Sequence, residues 1–170
     1  MFPMRRLDIY LNDHLAGSTV GVELSRRAAA ANHGTPAGEF LERLHGEIAE
    51  DRRVLEDIMR ALGVDVSPIK PAVAWVAEKA GRVKLNGQVR GYSPLSRLLE
   101  LEGLEVGITG KRSLWQVLDT SLGDDPRLAP FDLGALVDRA EAQLRDLREH
   151  RLAAASEALV SGPAASASRA

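Results

Sequence analysis

Residues 92–122 read YSPLSRLLELEGLEVGITGKRSLWQVLDTSL, and the phase of this stretch decides how the rest of the chain is arranged. Ser93 suits a helix N-cap and Pro94 the first helical position, where the missing amide hydrogen is no loss. At about 100° per residue, Leu101, Leu104, Ile108, Trp115 and Leu118 fall on one flank, and Leu95, Leu99 and Val106 on the other. Between the flanks run Leu98, Glu102, Glu105, Thr109 and Arg112. A polar stripe walled by apolar residues on both sides predicts a stripe turned inward. Carboxylates there require partners, because an unpaired buried charge is costly.

The totals set the frame for that stripe. A chain of 170 residues, 45% hydrophobic and 27% charged, has enough apolar surface for one soluble domain with a substantial core. Lys and Arg total 22 against 24 Asp and Glu, so the net charge of -2 provides no basic field for nucleic acid or an anionic membrane. Without cysteine there are no disulfides, thiolate metal sites or thiol nucleophiles, which fits a reducing cytoplasm. No run of about 18 apolar residues and no signal peptide is visible. A cytoplasmic location is therefore expected.

Outward from the central stretch, three more long helices are predicted. Residues 7–31 project with Leu7, Leu11, Ser18, Val22, Ser25 and Ala29 inward, and Gly17, Ser18, Gly21 and Ser25 make that face small, as a close helix neighbour would require. The small face either seats another helix of the same chain or pairs two copies in a homodimer. After the turn Asn32–Pro36, residues 36–62 carry Phe40, Leu41, Leu44, Ile48, Leu55, Ile58, Met59 and Leu62 at helical spacing, with Asp51 inside the stripe and Gly63 as the stop. Residues 131–160 bury Leu133, Leu136, Val137, Ala140, Leu144, Leu147, Ala154 and Ala158, with Arg151 among them and Gln143 and His150 at the edges. The connection 63–91 is read as a short helix at 70–80 anchored by Val73, Trp75 and Val76, then a hairpin around Asn86-Gly87. Residues 161–170 have little to bury and are read as a disordered tail on a single bundle domain of residues 1–160.

Two helix pairs joined by a long connection resemble the ferritin-like four-helix bundle class over residues 7–160. The runs Leu11-Asn12-Asp13-His14-Leu15-Ala16-Gly17, Val83-Lys84-Leu85-Asn86-Gly87 and Gly91-Tyr92-Ser93-Pro94-Leu95-Ser96 look like a bacterial family of such bundles, for which the resemblance implies no established activity. The fold class implied is all-α. If the connection crosses the bundle lengthwise, as the resemblance implies, the third long helix runs parallel to the second. If it returns to its starting end, the two run antiparallel.

A ferritin-like di-iron centre needs an inward Glu from each of two helices and an inward Glu-x-x-His from each of the other two. The one literal match is Glu42-Arg43-Leu44-His45, but Glu42 projects opposite the Leu41, Leu44, Ile48 stripe and Glu23 points away from Leu11, Ser18 and Val22. The last helix lacks the motif, since Leu147 stands three before His150.

The inward polar set is instead His14, Asp51, Glu102, Glu105, Arg112, His150 and Arg151. Arginine beside the carboxylates favours a buried salt-bridge network, with His14 bonded to Asp51, over a cation, because two positive charges would share one small space. The reading preferred from sequence is accordingly a non-catalytic structural or interaction protein, with no nucleic-acid or membrane partner. One alternative is a metal-binding oxidoreductase or storage protein holding iron, manganese or zinc through His14, Asp51, Glu102, Glu105 and His150. Another is an anion or small-ligand binder at Lys84, Arg90 and Tyr92, beside the N-terminus of the central helix.

Overall fold

The computed structural model describes residues 6–67 and 92–160. Four helices account for the regular structure there: α1 (Arg6–Ala31), α2 (Pro36–Leu62), α3 (Pro94–Leu122) and α4 (Leu133–Val160). There is no strand among the described residues, and none of the helices is long and apolar enough to cross a membrane. The short helix expected at 70–80, the hairpin at 82–90 and the tail at 161–170 lie outside the described residues.

Each boundary has a local cause. The Thr35 hydroxyl accepts from the Gly38 amide at 3.0 Å and donates to the Asn32 carbonyl at 2.7 Å, which caps α2 and ties it to the preceding turn. At the far end Gly63 adopts φ 69°, a left-handed conformation that favours glycine, and the Val64 amide reaches back to the Met59 carbonyl at 2.9 Å. Ser93 caps α3 through the Ser96 amide at 3.1 Å, and Asp132 caps α4 through the Ala135 amide at 2.9 Å. The turn before α4 is held by Arg127, whose guanidinium grips Asp125 and also donates to the Leu62 carbonyl at the end of α2 at 3.2 Å.

Two apolar clusters show how the helices run. One joins Leu11 and Leu15 of α1 to Leu55, Ile58 and Met59 of α2, Leu114, Trp115 and Leu118 of α3, and Leu133 and Leu136 of α4. The other joins Ala28 and Ala29 to Phe40, Leu41, Leu44 and Ile48, to Leu98, Leu101, Leu104 and Ile108, and to Ala140, Leu147 and Ala154. The start of α3 therefore lies at the end where α2 begins, so α3 runs parallel to α2, and the end of α2 and the start of α3 stand at opposite ends of the bundle. Packed neighbours are α1 with α2, α1 with α3, α3 with α4 and α2 with α4, each pair antiparallel. The two parallel pairs lie on the diagonals.

The inward face of α3 differs from its sequence reading. Leu98, Leu101, Leu104, Ile108, Leu114, Trp115 and Leu118 are buried, whereas Leu95, Leu99 and Val106 are 49%, 42% and 75% exposed. Only one apolar flank is a wall. The stripe of Glu102, Glu105 and Thr109 therefore rolls outward, with Glu102 and Thr109 exposed and Glu105 at the margin.

The caps of α2 give the first test. Thr35→Ala and Gly63→Ala should each lower stability by about 1 kcal/mol, one through a lost amide partner and the other through a Cβ in the left-handed region. The two sites stand at opposite ends of a 27-residue helix, so the double variant should lose about 2 kcal/mol in urea unfolding.

Candidate functional site

Between the two apolar clusters the core is interrupted by charge. Asp51, 2% exposed, lies on α2 between Ile48 and Leu55. One of its oxygens accepts from Lys111 Nζ of α3 and the other from Arg139 Nη2 of α4. Lys111 also donates to Gln143 Oε1 at 2.6 Å, and Gln143 Nε2 donates to Glu47 Oε2 at 2.9 Å. Two carboxylates thus meet two cations, so the cluster is formally neutral. Burial pushes the Lys111 ammonium below its ordinary range, while Asp51 opposes that shift. Lys111 is the only lysine among the described residues.

The same layer is hollow on the side of α1 and α3. These helices touch where Leu24 Cδ2 stands 3.0 Å from the place a Cβ on Gly103 would occupy. Nearby, nothing lies within 4 Å of the corresponding position at Gly17, Gly107 or Gly110. Of the small face of α1, the Gly21 and Ser25 end packs against α2, where a Cβ on Gly21 would stand 3.8 Å from Ile48 and Ser25 is buried beside His45, while the Gly17 end is left open. There a groove of about 310 Å³ opens. Ile48, Leu55, Leu104, Ile108, Leu114 and Trp115 give the groove apolar surface, and His14, Asp51 and Lys111 give it polar surface.

The seven side chains read as inward, which a returning connection would gather in one layer and a lengthwise crossover would set nearer opposite ends, are distributed over several places. His14 lines the groove and meets the edge of the Tyr10 ring, with centroids 4.6 Å apart. Burial lowers its pKa more than Asp13 raises it. No hydrogen bond joins it to Asp51 among the described residues; that carboxylate is held by Lys111 and Arg139. Glu105 pairs with Arg151 at 2.9 Å on the flank of α3 and α4, with 36% and 24% of their side chains exposed. Glu102 is exposed and forms no ion pair among the described residues. Arg112 has a buried Nε without a hydrogen-bond partner there. His150 stacks on Phe40 at 4.0 Å in the other half of the bundle. Burial shifts its pKa downward.

Sequence reasoning passed over Lys111, Arg139, Glu47 and the central place of Gln143. One signal was present: Lys111 stands seven residues after Leu104 and seven before Leu118, the phase of the buried flank.

Among the described residues, no three His, Asp or Glu side chains are grouped as a metal would need. Glu42 instead contacts His33 at 3.1 Å on the surface, Glu23 pairs with Arg26, and His45 Nδ1 lies 3.0 Å from the Ser25 hydroxyl. Of the second candidate site, Lys84 and Arg90 lie outside the described residues. The Tyr92 hydroxyl donates to Glu100 Oε2 and accepts from Asn32 Nδ2, both at 2.8 Å, so it is engaged within the fold. Burial, aided by Glu100, pushes Tyr92 up to about 12.

Comparison with family models, with curated proteins and with solved structures found no match.

Two measurements test this geometry. Asp51→Ala should cost about 3–5 kcal/mol in urea unfolding, since it leaves two cations without their shared carboxylate. Joint replacement of Asp51, Lys111 and Arg139 by Leu, Met and Met should recover most of that loss. For Tyr92, the folded pKa lies above the ordinary value of 10.0, so the native state holds the proton more tightly and stability should fall as pH rises from about 10 to about 12. Tyr92→Phe should flatten that part of the pH–stability curve.

Proposed function

We propose that the chain is a non-catalytic bundle of ferritin-like topology that holds a small apolar molecule between α1 and α3. The parallel run of α2 and α3, with α1–α2 and α3–α4 as hairpins, supports the ferritin-like part of this reading, because folds of that class link two hairpins by one long crossover. The observation that carries the binding role is the open space in front of Gly17, Gly107 and Gly110. Glycine inside a helix costs about 1 kcal/mol relative to alanine, and close packing does not account for it at these three positions. The groove, at about 310 Å³, falls at the small end of ligand pockets and has their usual makeup of apolar walls with a few polar groups.

The buried charges have a structural part in this reading. Asp51 joins α2 to both helices of the second hairpin, and so fixes the level at which the hairpins meet. That level is where the groove lies. A metal at Asp51 would have to displace Lys111 and Arg139 from its two oxygens, which weighs against the metal-dependent alternative.

N-phenyl-1-naphthylamine, an uncharged dye that brightens in apolar surroundings, tests the role directly. Saturable binding near one dye per chain is expected. Gly107→Leu and Gly17→Leu, which place side chains in the open space, should each weaken it at least tenfold with helix content unchanged by circular dichroism. Absence of saturable binding, or binding indifferent to both leucines, would sink the reading.

A further inference from the structure

Single exposed apolar side chains are ordinary on a protein surface, but a continuous line of them calls for a cover. α3 carries such a line. Leu95, Leu99, Val106 and Val117 are all exposed, and at about 100° per residue they share an arc about 40° wide with exposed Ser113, opposite the buried face. The line runs about 33 Å along the helix. α1 and α4 pack against α3 from its two sides and leave this outward face free of both. A helix that is apolar outside as well as inside belongs in the middle of a larger array.

The spacing says which cover fits. Counted from Val106, the most exposed of the four, Leu99 and Ser113 stand seven residues to either side, and Leu95 and Val117 stand eleven. The line is thus symmetric about Val106 in position but not in size, with leucines before it and smaller residues after it. An antiparallel copy of α3, related by a two-fold axis at Val106, sets Val106 on Val106, Leu99 on Ser113 and Leu95 on Val117, so away from the axis each leucine meets a smaller residue. A parallel copy would put leucine on leucine at one end and serine on serine further along.

Two charges unused within the chain decide between these directions. Glu102 and Arg112 form no ion pair among the described residues. Both lie on the α4 side of the line, Arg112 one heptad beyond the Glu105 that pairs with Arg151 of α4. Within one chain they stand ten residues apart, about 15 Å along the helix, and cannot meet. The antiparallel two-fold brings Glu102 of each copy to within about 3 Å of the level of Arg112 of the other, whereas a parallel copy keeps the two about 15 Å apart. On the α1 side the same axis sets Gly103 of one copy toward Gly110 of the other, which adds no side chain at the mouth of the groove, so the interface stands independently of the binding role. We infer that this face of α3 is a homodimer interface, an antiparallel pair of α3 helices with Val106 at the two-fold axis and Glu102 of each copy paired with Arg112 of the other.

The chain has no cysteine, so introduced thiols report the geometry directly. On mild oxidation of the full chain, Val106→Cys should form a disulfide-linked dimer. Leu95→Cys alone should not, and a mixture of Leu95→Cys and Val117→Cys chains should. The wild type should sediment with twice the mass of one chain. Val106→Glu, which puts two like charges on the axis, and Glu102→Arg, which turns a positive charge on Arg112, should each weaken dimerisation at least tenfold with helix content unchanged by circular dichroism. Arg112→Glu added to Glu102→Arg should restore part of that loss. If a charge variant does not fold, the three cysteine chains decide. A wild type that stays monomeric, whether because another part of the chain covers this face or because nothing does, would overturn the inference. So would a dimer indifferent to Val106→Glu, or Leu95→Cys cross-linking to itself.

Discussion

Asp51 is the one carboxylate buried outright among the described residues, and the arrangement of the bundle turns on how it is neutralised. A lone carboxylate in that layer would be protonated or would drag the core open. Here each oxygen has a cation, one from α3 and one from α4, so the acid joins three helices. Hydrophobic contact alone allows helices to slide by a turn with small loss, since leucine against leucine is much the same at several levels. A charge that has partners at only one level is less forgiving, as in bundles whose register is set by a buried polar residue. The apolar clusters on either side are continuous along their own helices, and the polar layer determines where they meet.

That layer also explains why the bundle is uneven in section. On the side of α2 and α4 the space is filled by long side chains, Lys111, Arg139 and Gln143 among them. On the side of α1 and α3 the same level carries glycine and serine. α1 and α3 are close enough to touch at Leu24 and Gly103, but the small residues nearby do not fill the gap beneath. The groove is thus made by missing side chains between helices that are held in place elsewhere.

The parts of this organisation that could be read in the sequence are those with one dominant period. The stripe of α2 from Phe40 to Leu62, with Asp51 in it, is buried as its spacing predicts, and Thr35, Gly63 and Ser93 mark ends that their chemistry demands. The inward face of α3 was harder, because Leu95, Leu99 and Val106 form a second apolar flank. An exposed leucine or valine is ordinary on a protein surface, so periodicity could not tell which flank packed. With both flanks taken as walls, Glu102 falls inward and Lys111 outside the stripe, the reverse of their places in the fold. The partners of Asp51 come from residues 60 and 88 positions away, and pairing over such distances depends on helix rotation, which one sequence does not reveal. The glycines of α1 and α3 posed a different ambiguity. Small residues mark both a tight crossing and an empty space, and only the positions of the surrounding atoms distinguish the two.

The division of Asp51 from Lys111 and Arg139 between the two halves of the chain bears on how the protein assembles. α1 with α2, and α3 with α4, are local hairpins whose contacts close over short loops, the kind of structure that forms quickly. Neither hairpin can neutralise its own share of the cluster: the first brings two acids, Asp51 and Glu47, the second two bases, Lys111 and Arg139. Each would keep that layer hydrated while it stands alone, and the water has to leave as the halves come together. The dehydration penalty and the electrostatic gain therefore fall on the same late event. Partial docking in a shifted register would incur the penalty without the gain, so the charge pairing favours a single register.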